Sequence, residues 1–399
     1  MEKSELPLAG ITVLDAATFI AGPSAAALLG EFGADVIKVE HPEGGDPLRR
    51  LGTKAGAQDS LLWLNEGRGK RSVTLNLKDE RGAELFRALA ARADVVVENF
   101  RPGTMARWGL GYEVLAAQNP GLIQLSVSGY GQDGPYRDRP GFARIAHAFG
   151  GLSHLTGEEG GAPLTPGSTS LADYMSGLYG VIGVLMALRH REATGLGQVI
   201  DVALYESVFR ALDEIAPAHA LSGLVRGRQG VGTVNACPHG HFASRDGKWV
   251  AIACTNDRMF ARLTAVMGRE DLRASFGDLA ARLAGQDEVD AIVGEWCARL
   301  DQDEIVRLCV AGEVPCEAVL SIDDILRDPH YRARGTLQQV DVPGIGPLPF
   351  PAPLPRLSAT PGRLDSLGPK LGNATEAVLE GVLGLSAHEI AALRADGVV

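Results

Sequence analysis

Short apolar runs and amphipathic stretches alternate along the first half of the chain. Runs rich in β-branched and aliphatic residues predict strands at residues 10–15, 36–40, 71–77, 94–99 and 122–127. Helical spacing of apolar positions lies between them, at residues 25–32, at 78–93 and near Val114. Repeated strand–helix units join parallel strands through helices, so the pattern predicts an α/β domain: a parallel sheet with helices on both faces.

Residues 170–191 predict one long helix with almost no polar face. A helix that is apolar all round is expected to be buried. Gly195 and Gly197 end it, and residues 198–204 predict one more strand.

The character of the chain changes after about residue 222. Residues 223–240 are glycine-rich and aperiodic, which is typical of a crossing between domains, and residues 241–255 predict a hairpin around Asp246 and Gly247. The proline-rich stretch 343–361 predicts an extended linker. We therefore expect a large domain over 1–222, a smaller α+β domain over 223–330, and a return of 331–399 to the large domain.

Composition narrows the class of protein. The 399 residues are 45% apolar and 22% charged, a balance typical of soluble globular proteins of two domains. No window approaches the roughly 18 uncharged apolar residues of a membrane span, and no leader is recognisable, so we expect a cytoplasmic protein with no membrane contact. The net charge of −11 argues against a nucleic-acid partner, and five irregularly spaced cysteines predict reduced thiols and no metal site.

One local segment is basic. Between Arg49 and Lys78 the chain has only two acids, Asp59 and Glu66, against the basic residues Arg49, Arg50, Lys54, Arg68, Lys70, Arg71 and Lys78. Such a run is either a solvated surface or part of a site for an anionic ligand.

The loop after the first strand raises the question of a dinucleotide cofactor. Residues 18–26 read TFIAGPSAA, and Glu40 closes the second strand, where a ribose-binding acid would fall. However, the loop lacks the GxGxxG pattern, and Pro23 removes a backbone donor. An NAD-dependent oxidoreductase is therefore a disfavoured alternative.

Asp173 is the candidate nucleophile. It stands at the head of the long apolar helix, directly after a glycine-bearing loop, where a carboxylate would be rigid and poorly hydrated. The alternative is structural, because Ser170 and Asp173 have the spacing of a helix capping box.

Sequence blocks along nearly the whole chain resemble family III CoA-transferases, the formyl-CoA transferase and carnitine CoA-transferase type. The resemblance lies in PLAGITVLD, FGADVIKVE, NEGRGKRSVTLNL, VENFRPG, SGYGQDGP, LADYMSGLYG, TGLGQVIDVALYES, VPCEAV and DPHYRARG. It implies a large Rossmann-like domain, a small domain and an interlocked homodimer of ring-shaped chains. It also implies transfer through a covalent intermediate on Asp173.

The same resemblance implies the binding residues. Coenzyme A, as a thioester substrate rather than a tightly bound cofactor, would contact Thr18, Phe19, Ile20, His41, Leu75, Lys78, Asn99, Phe100 and Arg107. The phosphates of CoA would then explain the basic run. A glycine-bearing loop with His239 and Gly240 would close over the reacting groups.

The acyl substrate is expected to be a dicarboxylate. Arg144 and His147 would bind a second carboxylate, unless they are a surface arginine and a packed histidine. The segments around them resemble transferases of succinyl-CoA and four- or five-carbon acids such as malate, citramalate, mesaconate or itaconate. A 2-methylacyl-CoA racemase is the enzymatic alternative, but Phe142 and Ala143 replace its His-Asp pair.

Overall fold

Six strands form one parallel sheet. The computed structural model describes residues 5–56 and 59–399. The strands are β1 (Thr12–Asp15), β2 (Asp35–Glu40), β3 (Lys70–Thr74), β4 (Val95–Glu98), β5 (Ile123–Ser128) and β6 (Val199–Ala203). Their spatial order is β3-β2-β1-β4-β5-β6, and every neighbouring pair is parallel. This is the doubly wound arrangement, so the predicted parallel α/β sheet is confirmed.

Helices join these strands. They are α1 (Ala21–Glu31), α2 (Leu61–Glu66), α3 (Glu80–Ala90), α4 (Thr104–Arg107), α5 (Tyr112–Gln118), α6 (Ala143–Phe149), α7 (Leu152–Leu155), α8 (Leu171–Thr194) and α9 (Leu204–Phe209), with a 3-10 turn at Pro47–Arg50. Helix α1 begins four residues earlier than predicted. Pro23 is tolerated there because the first helical turn has no partner for its backbone N–H.

Both faces of the sheet are buried. Val13 packs into one apolar cluster with residues of α1 and α8, whereas its neighbour Leu14 packs into a second cluster with residues of α3. Val95 and Val96 divide in the same way. Successive side chains of a strand point to opposite faces, so continuous apolar runs are what a doubly covered sheet requires.

Helix α8 lies unusually close to its neighbours because its contact face is built from small residues. A Cβ atom on Gly177 would lie 2.5 Å from Ser24 Oγ and 3.0 Å from the Ala21 carbonyl oxygen, both on α1. A Cβ atom on Gly180 would lie 2.8 Å from Leu125 of β5. The position of α8 over the sheet therefore depends on glycine at these sites.

The prediction that α8 is buried all round is wrong for one side of the helix. Leu178, Ile182, Leu185 and Met186 are exposed, and Met186 is 67% exposed. Their spacing places them along a single stripe. The sequence pattern shows that these positions are apolar, but it does not show that the chain itself leaves them uncovered.

By length and composition, α8 could cross a membrane. From the sequence, no segment was expected to be apolar enough for a membrane span, but the most apolar window of α8 has a mean hydropathy of 1.5. Core helices of soluble proteins pass the same test. Here the small-residue side of α8 is packed on α1 and the sheet, as described above.

The chain divides into two compact units. One contains residues up to 152, 165–217 and 335–399, and the other contains 153–164 and 218–334. The boundaries expected at 222 and 330 lie within five residues of two of these. Segment 153–164, assigned to the large domain from sequence, belongs to the second unit, a detour without a signal in composition.

The second unit contains a three-stranded antiparallel sheet and helices. The sheet order is β7 (His239–Ala243), β8 (Trp249–Ala253) and β9 (Cys316–Ala318), and the hairpin predicted around Asp246 and Gly247 joins β7 to β8. Helix α10 (Ile215–Ser222) crosses the boundary after residue 217. The remaining helices are α11 (Asp257–Val266), α12 (Leu272–Phe276), α13 (Leu279–Ala284), α14 (Gln286–Cys297), α15 (Gln302–Ala311), α16 (Ile322–Arg327) and α17 (Pro329–Arg334).

The proline-rich segment is partly a hairpin and not only a linker. Strands β10 (Leu337–Val342) and β11 (Gly346–Pro351) pair antiparallel, and Pro347, Pro349 and Pro351 occupy alternate positions of β11. Alternate residues of a two-stranded hairpin direct their N–H groups away from the partner, so proline costs no ladder bond there. Helices α18 (Thr375–Leu383) and α19 (Ala387–Ala395) follow.

We predict that Gly177→Ala lowers the free energy of unfolding by about 1–3 kcal/mol, because the new methyl group must separate α8 from α1. Gly381→Ala is the matched control: Gly381 is exposed within α18 and has open space around it, so alanine should stabilise by about 0.5–1 kcal/mol. Urea unfolding of both variants checks the pair. Equal effects would show that the α8–α1 contact is not tightly packed.

Candidate active site

Candidate site residues of the first unit gather at the carboxyl edge of the parallel sheet. Thr18 follows β1 and Asn99 follows β4, and these two strands are neighbours at which the strand order reverses. His41 follows β2, and Leu75 follows β3. In open parallel sheets, ligands bind in the crevice at this reversal point.

The loop after β1 is fixed by polar contacts. The side-chain amide of Asn99 accepts a hydrogen bond from the Thr18 N–H at 2.8 Å and donates one to the Thr18 carbonyl at 2.7 Å. Phe19 has a φ of 61°, the left-handed conformation that costs a residue with a side chain on the order of 1–3 kcal/mol. Its N–H donates to Asp46 Oδ1 at 3.1 Å. The strained loop is thus held from two directions.

Asp46 is itself part of a buried ionic network. Its second carboxylate oxygen lies 3.1 Å from Lys38 Nζ, and Lys38 also lies 3.6 Å from Asp15. Asp15 pairs with Lys70 at 2.8 Å, and all four side chains are buried. Burial alone would lower the pKa of Lys38, but the carboxylates of Asp15 and Asp46 outweigh it and raise that pKa. The ammonium group therefore stays charged beneath the loop.

A cavity of about 200 Å³, the Asp173 pocket, opens at this edge. Asp173 and Leu204 border it together with the loops that follow β1, β4 and β5. The remaining lining residues are Thr18, Phe19, Ile20, Ala21, Asn99, Phe100, Arg101, Pro102, Val127, Ser128, Gly129, Arg137, Arg139, Pro140, Gly141 and Phe142.

Asp173 has the properties of a reactive rather than a capping carboxylate. Ser170 makes no side-chain capping bond at the start of α8. Among the described residues, nothing donates a hydrogen bond to the Asp173 carboxylate, and no cation pairs with it. Burial raises the pKa of Asp173 to about 7. A carboxylate this basic is a stronger nucleophile than a solvated aspartate.

A second cavity of about 260 Å³, the Lys78 pocket, adjoins the first through Thr18 and Phe100, which line both. Its wall combines cations with apolar and aromatic groups. The other lining residues are Ala16, Lys38, Val39, Glu40, His41, Gly45, Asp46, Pro47, Leu75, Asn76, Leu77, Lys78 and Trp108. Two adjoining cavities suit an elongated ligand with a reactive group at one end and a charged group at the other.

Several of the seven basic residues in the run are paired with acids of the chain and are therefore poorly placed to bind phosphate. Arg49 pairs with Glu40 at 2.6 Å and with Asp59, Arg68 pairs with Glu31 at 2.8 Å, and Lys70 pairs with Asp15. The acids Glu40, Glu31 and Asp15 precede the run, so a count of charges within residues 49–78 misses them. Of the seven basic residues in this run, Lys78 alone lines the Lys78 pocket.

Three predicted residues of the first unit lie outside both pockets. Arg107 is exposed and donates to Thr104 Oγ1 at 2.8 Å, and Arg144 is exposed, 3.4 Å from Thr165 Oγ1. His147 is only 2% exposed, and its Nε2 accepts a hydrogen bond from the Ala172 N–H at 3.0 Å. Burial, with Arg144 nearby, lowers the pKa of His147, so the ring is a neutral acceptor. The packed-histidine alternative matches this geometry.

His239 and Gly240 belong to the second unit, at the start of β7. The backbone there runs close to a neighbouring segment, since a Cβ atom on Gly240 would lie 2.6 Å from the Val231 carbonyl oxygen. Within the part of the chain that the structure describes, the buried His239 Nδ1 has no hydrogen-bond partner.

Three arginines of the Asp173 pocket were not predicted from the sequence: Arg101, Arg137 and Arg139. Arg101 stands in the FRPG block after β4, and the other two follow β5 in a loop bounded by glycines. The topological rule that ligands meet the carboxyl ends of strands was sufficient to find them. Within 5–56 and 59–399, no cluster of three metal-ligating side chains is present, and all five cysteines are free thiols.

Comparison with known proteins agrees with the resemblance seen in the sequence. The alpha subunit of succinyl-CoA–L-malate CoA-transferase from Chloroflexus aurantiacus is 54% identical, covering 100% of this chain and 94% of that protein. The beta subunit is 56% identical, covering 99% and 98%. A CAIB/BAIF family protein from Brucella suis has a crystal structure that matches with a TM-score of 0.83 at 35% identity, covering 95% of this chain and 100% of that one. The profile of CoA-transferase family III matches residues 8–375, and the chain belongs to that family.

Proposed function

We propose that this CoA-transferase moves CoA from succinyl-CoA, or a related dicarboxylyl-CoA, to a four- or five-carbon dicarboxylic acid such as malate, citramalate, mesaconate or itaconate. The observation that carries the proposal is the half-buried Asp173 carboxylate, which has no hydrogen-bond partner among the described residues and lines the pocket at the reversal of the sheet, next to the Lys78 pocket. Relatives named for succinyl-CoA and malate support the choice of substrates.

The proposed reaction uses Asp173 as a covalent carrier. Its carboxylate attacks the donor thioester carbonyl, and the C–S bond breaks to give a mixed anhydride and CoA thiolate. The thiolate attacks the aspartyl carbonyl of the anhydride, which releases the donor acid as its carboxylate and leaves an aspartyl-CoA thioester. The acceptor carboxylate attacks this thioester and expels the thiolate. The thiolate then attacks the acceptor carbonyl, forming the new acyl-CoA and regenerating the Asp173 carboxylate.

Burial of Asp173 favours its attack on the thioester. An aspartate in water is a poor nucleophile because its charge is well solvated, whereas burial raises the basicity of Asp173. Attack transfers that charge to the leaving thiolate, so the unfavourable desolvation of Asp173 is relieved as the bond forms. One thioester replaces another, so the overall exchange needs no external energy source.

We assign CoA to the crevice formed by both pockets. Thr18, Phe19, Ile20 and Asn99 line the end near Asp173, whereas His41, Leu75 and Lys78 line the far end, and Phe100 is shared. The Lys78 ammonium supplies a charge for phosphate, and Leu75 with Trp108 supplies apolar surface for adenine. Arg107, one residue before Trp108, stays a prediction as a further CoA contact.

The other predicted binding residues remain proposals of different kinds. His147 supports the first turn of α8 through the Ala172 N–H, so we propose that it positions Asp173 rather than touching substrate. Arg144 stays a prediction for acceptor binding. His239 and Gly240 stay predictions for the loop that stabilises the oxyanion, for which backbone N–H donors are the usual device.

A racemase is disfavoured by the residues at the pocket. Phe142 lines the cavity, and the Ala143 side chain has no titratable group, so neither position supplies a base for proton exchange.

We also propose a homodimer of the interlocked type in the cytoplasm. The exposed apolar stripe of α8 supports a dimer, since an apolar face of this extent is typical of a protein interface. Five free thiols are consistent with a reducing compartment.

Replacing the nucleophile tests the mechanism directly. We expect Asp173→Asn to reduce transfer by at least about 1,000-fold while the circular dichroism spectrum is unchanged, because the amide cannot attack the thioester. Wild-type protein incubated with succinyl-CoA should carry a mass adduct on the Asp173 peptide, and the variant should not. Full turnover by the variant would contradict the assignment.

The raised pKa predicts two linked pH effects. First, kcat/KM for the donor should rise with pH to a plateau, with a midpoint near 7, because only ionised Asp173 attacks. Second, the folded state holds the Asp173 proton more tightly than the unfolded state does, so wild type loses stability as pH rises from about 4 to 7. Asp173→Asn should therefore have the higher Tm at pH 8 and an equal Tm at pH 4.

Free CoA binding, measured over the same pH range, separates this ionisation from that of the ligand phosphates. A flat rate profile between pH 5 and 9 would be inconsistent with a basic Asp173.

The dimer is tested by placing charge on the stripe. We expect Met186→Glu to shift the protein toward monomer in light scattering, because a buried unpaired carboxylate opposes association. Val114→Glu, at an exposed apolar position on α5, is the control and should leave the mass unchanged. A monomeric wild type would rule out the homodimer and direct attention to a related second subunit.

A further inference from the structure

The charged groups of the Asp173 pocket are unbalanced. Arg101, Arg137 and Arg139 line it, and among the described residues Asp173 is the only carboxylate in its lining. Arg101 directly follows Phe100, which the two pockets share, so it lies on the CoA side. Arg137 and Arg139 come from a different loop, residues 129–142, and no described acid of the pocket lining neutralises them. The proposed reaction at Asp173 has no step that needs these two cations.

Arg139 is held in place by an aromatic platform. Its guanidinium lies 3.5 Å from the centre of the Tyr136 ring. Tyr136 packs edge-on against Tyr130 and Phe149, with ring centres 6.1 and 5.8 Å away. Stacking fixes the plane of the guanidinium while leaving its N–H donors at the edge free to bind an anion. A cation oriented in this way loses little entropy on binding a carboxylate.

The loop that carries the arginines is itself anchored. Its two ends touch, since a Cβ atom on Gly129 would lie 2.9 Å from Gly141 Cα. The backbone N–H of Gln132 donates to Asp201 Oδ2 at 2.9 Å, and the backbone N–H of Arg139 donates to the Tyr136 carbonyl at 2.9 Å. Arg137 makes only a loose contact with Asp138, 3.7 Å apart on exposed side chains, and such a pair contributes little energy. Arg137 is therefore available to a ligand.

The position of the loop identifies which part of a ligand it meets. When the thioester carbon lies at Asp173, the phosphates of CoA lie at the other end of the pantetheine arm. The group beyond the thioester is the acyl chain. Phe142, which is 61% exposed, and Phe19 stack edge-on at 5.7 Å and give this pocket an apolar wall. An acyl chain with apolar carbons and a terminal anion matches such a wall beside two arginines.

We infer that Arg137 and Arg139 form the subsite for the distal carboxylate of a dicarboxylyl group, and that Phe142 contacts the intervening carbons. This inference rests on the proposed function and specifies its substrate class. Arginine presents paired N–H donors that match a carboxylate, so the subsite selects dicarboxylic over monocarboxylic acyl groups of equal length.

The test compares two donors of the same chain length, succinyl-CoA and butyryl-CoA, with the acceptor held constant. Arg139→Ala and, separately, Arg137→Ala should lower kcat/KM for succinyl-CoA by about 10- to 100-fold and leave that for butyryl-CoA within about twofold. Arg139→Lys keeps the charge but loses the fork, so it should recover part of the activity. Arg92→Ala, an exposed arginine outside both pockets, controls for the loss of one positive charge.

The outcomes separate the inference from the proposed function. Equal losses with both donors would assign the arginines to CoA and overturn the inference. If kcat/KM for succinyl-CoA is unchanged in both alanine variants, and their circular dichroism spectra are native, the inference is overturned as well. A wild type that transfers CoA only between monocarboxylic acids would refute the dicarboxylate subsite and leave Asp173 chemistry intact. A wild type that forms no adduct with any acyl-CoA would refute the proposed function itself.

Discussion

The close contact between α8 and α1 is the constraint on which the site depends. Asp173 is one helical turn before Gly177, and Gly177 can approach the Ala21 carbonyl only because it lacks a side chain. That approach brings the first turn of α8 to the carboxyl edge of the sheet, beside the loop that follows β1. His147 binds the Ala172 N–H from the other side. Asp173, the proposed nucleophile, is therefore positioned by packing and backbone contacts, and its carboxylate is left without partners among the described residues.

Charge is used in two separate ways around this edge. Lys38, Asp46 and their buried partners form an internal network that supports the left-handed Phe19, and neither Lys38 nor Asp46 lines the Asp173 pocket. The exposed Arg137 and Arg139 belong to a loop and have few internal partners. Buried ion pairs fix geometry because breaking one leaves an uncompensated charge, whereas exposed arginines are free to pair with a ligand. Basic residues thus stabilise the fold where they are buried in ion pairs, and are available to bind a ligand where they are exposed on the loop.

The sequence predicts the centre of the sheet well because β1 and β4 carry consecutive β-branched and aliphatic residues, the pattern of a strand that is buried on both faces. The sequence also drew attention to Asp173, through its place at the head of an apolar helix and the family resemblance, and this residue lines the Asp173 pocket. The charged residues were harder. Lys70 pairs with Asp15 and Arg68 pairs with Glu31, acids of earlier elements that a count of charges within one segment cannot show. For His147, whether a histidine faces ligand or packs under a helix depends on side-chain direction, which periodicity alone does not give.

The closed loop of residues 129–142 has a consequence for how this architecture can diversify. Its ends meet at Gly129 and Gly141, so its interior can change in length or charge without moving β5 or α6. Asp173 and the residues assigned to CoA reside on other segments. Substitutions or insertions confined to this loop, natural or selected in the laboratory, would then change the preference for the acid while Asp173 and the proposed CoA contacts stay the same.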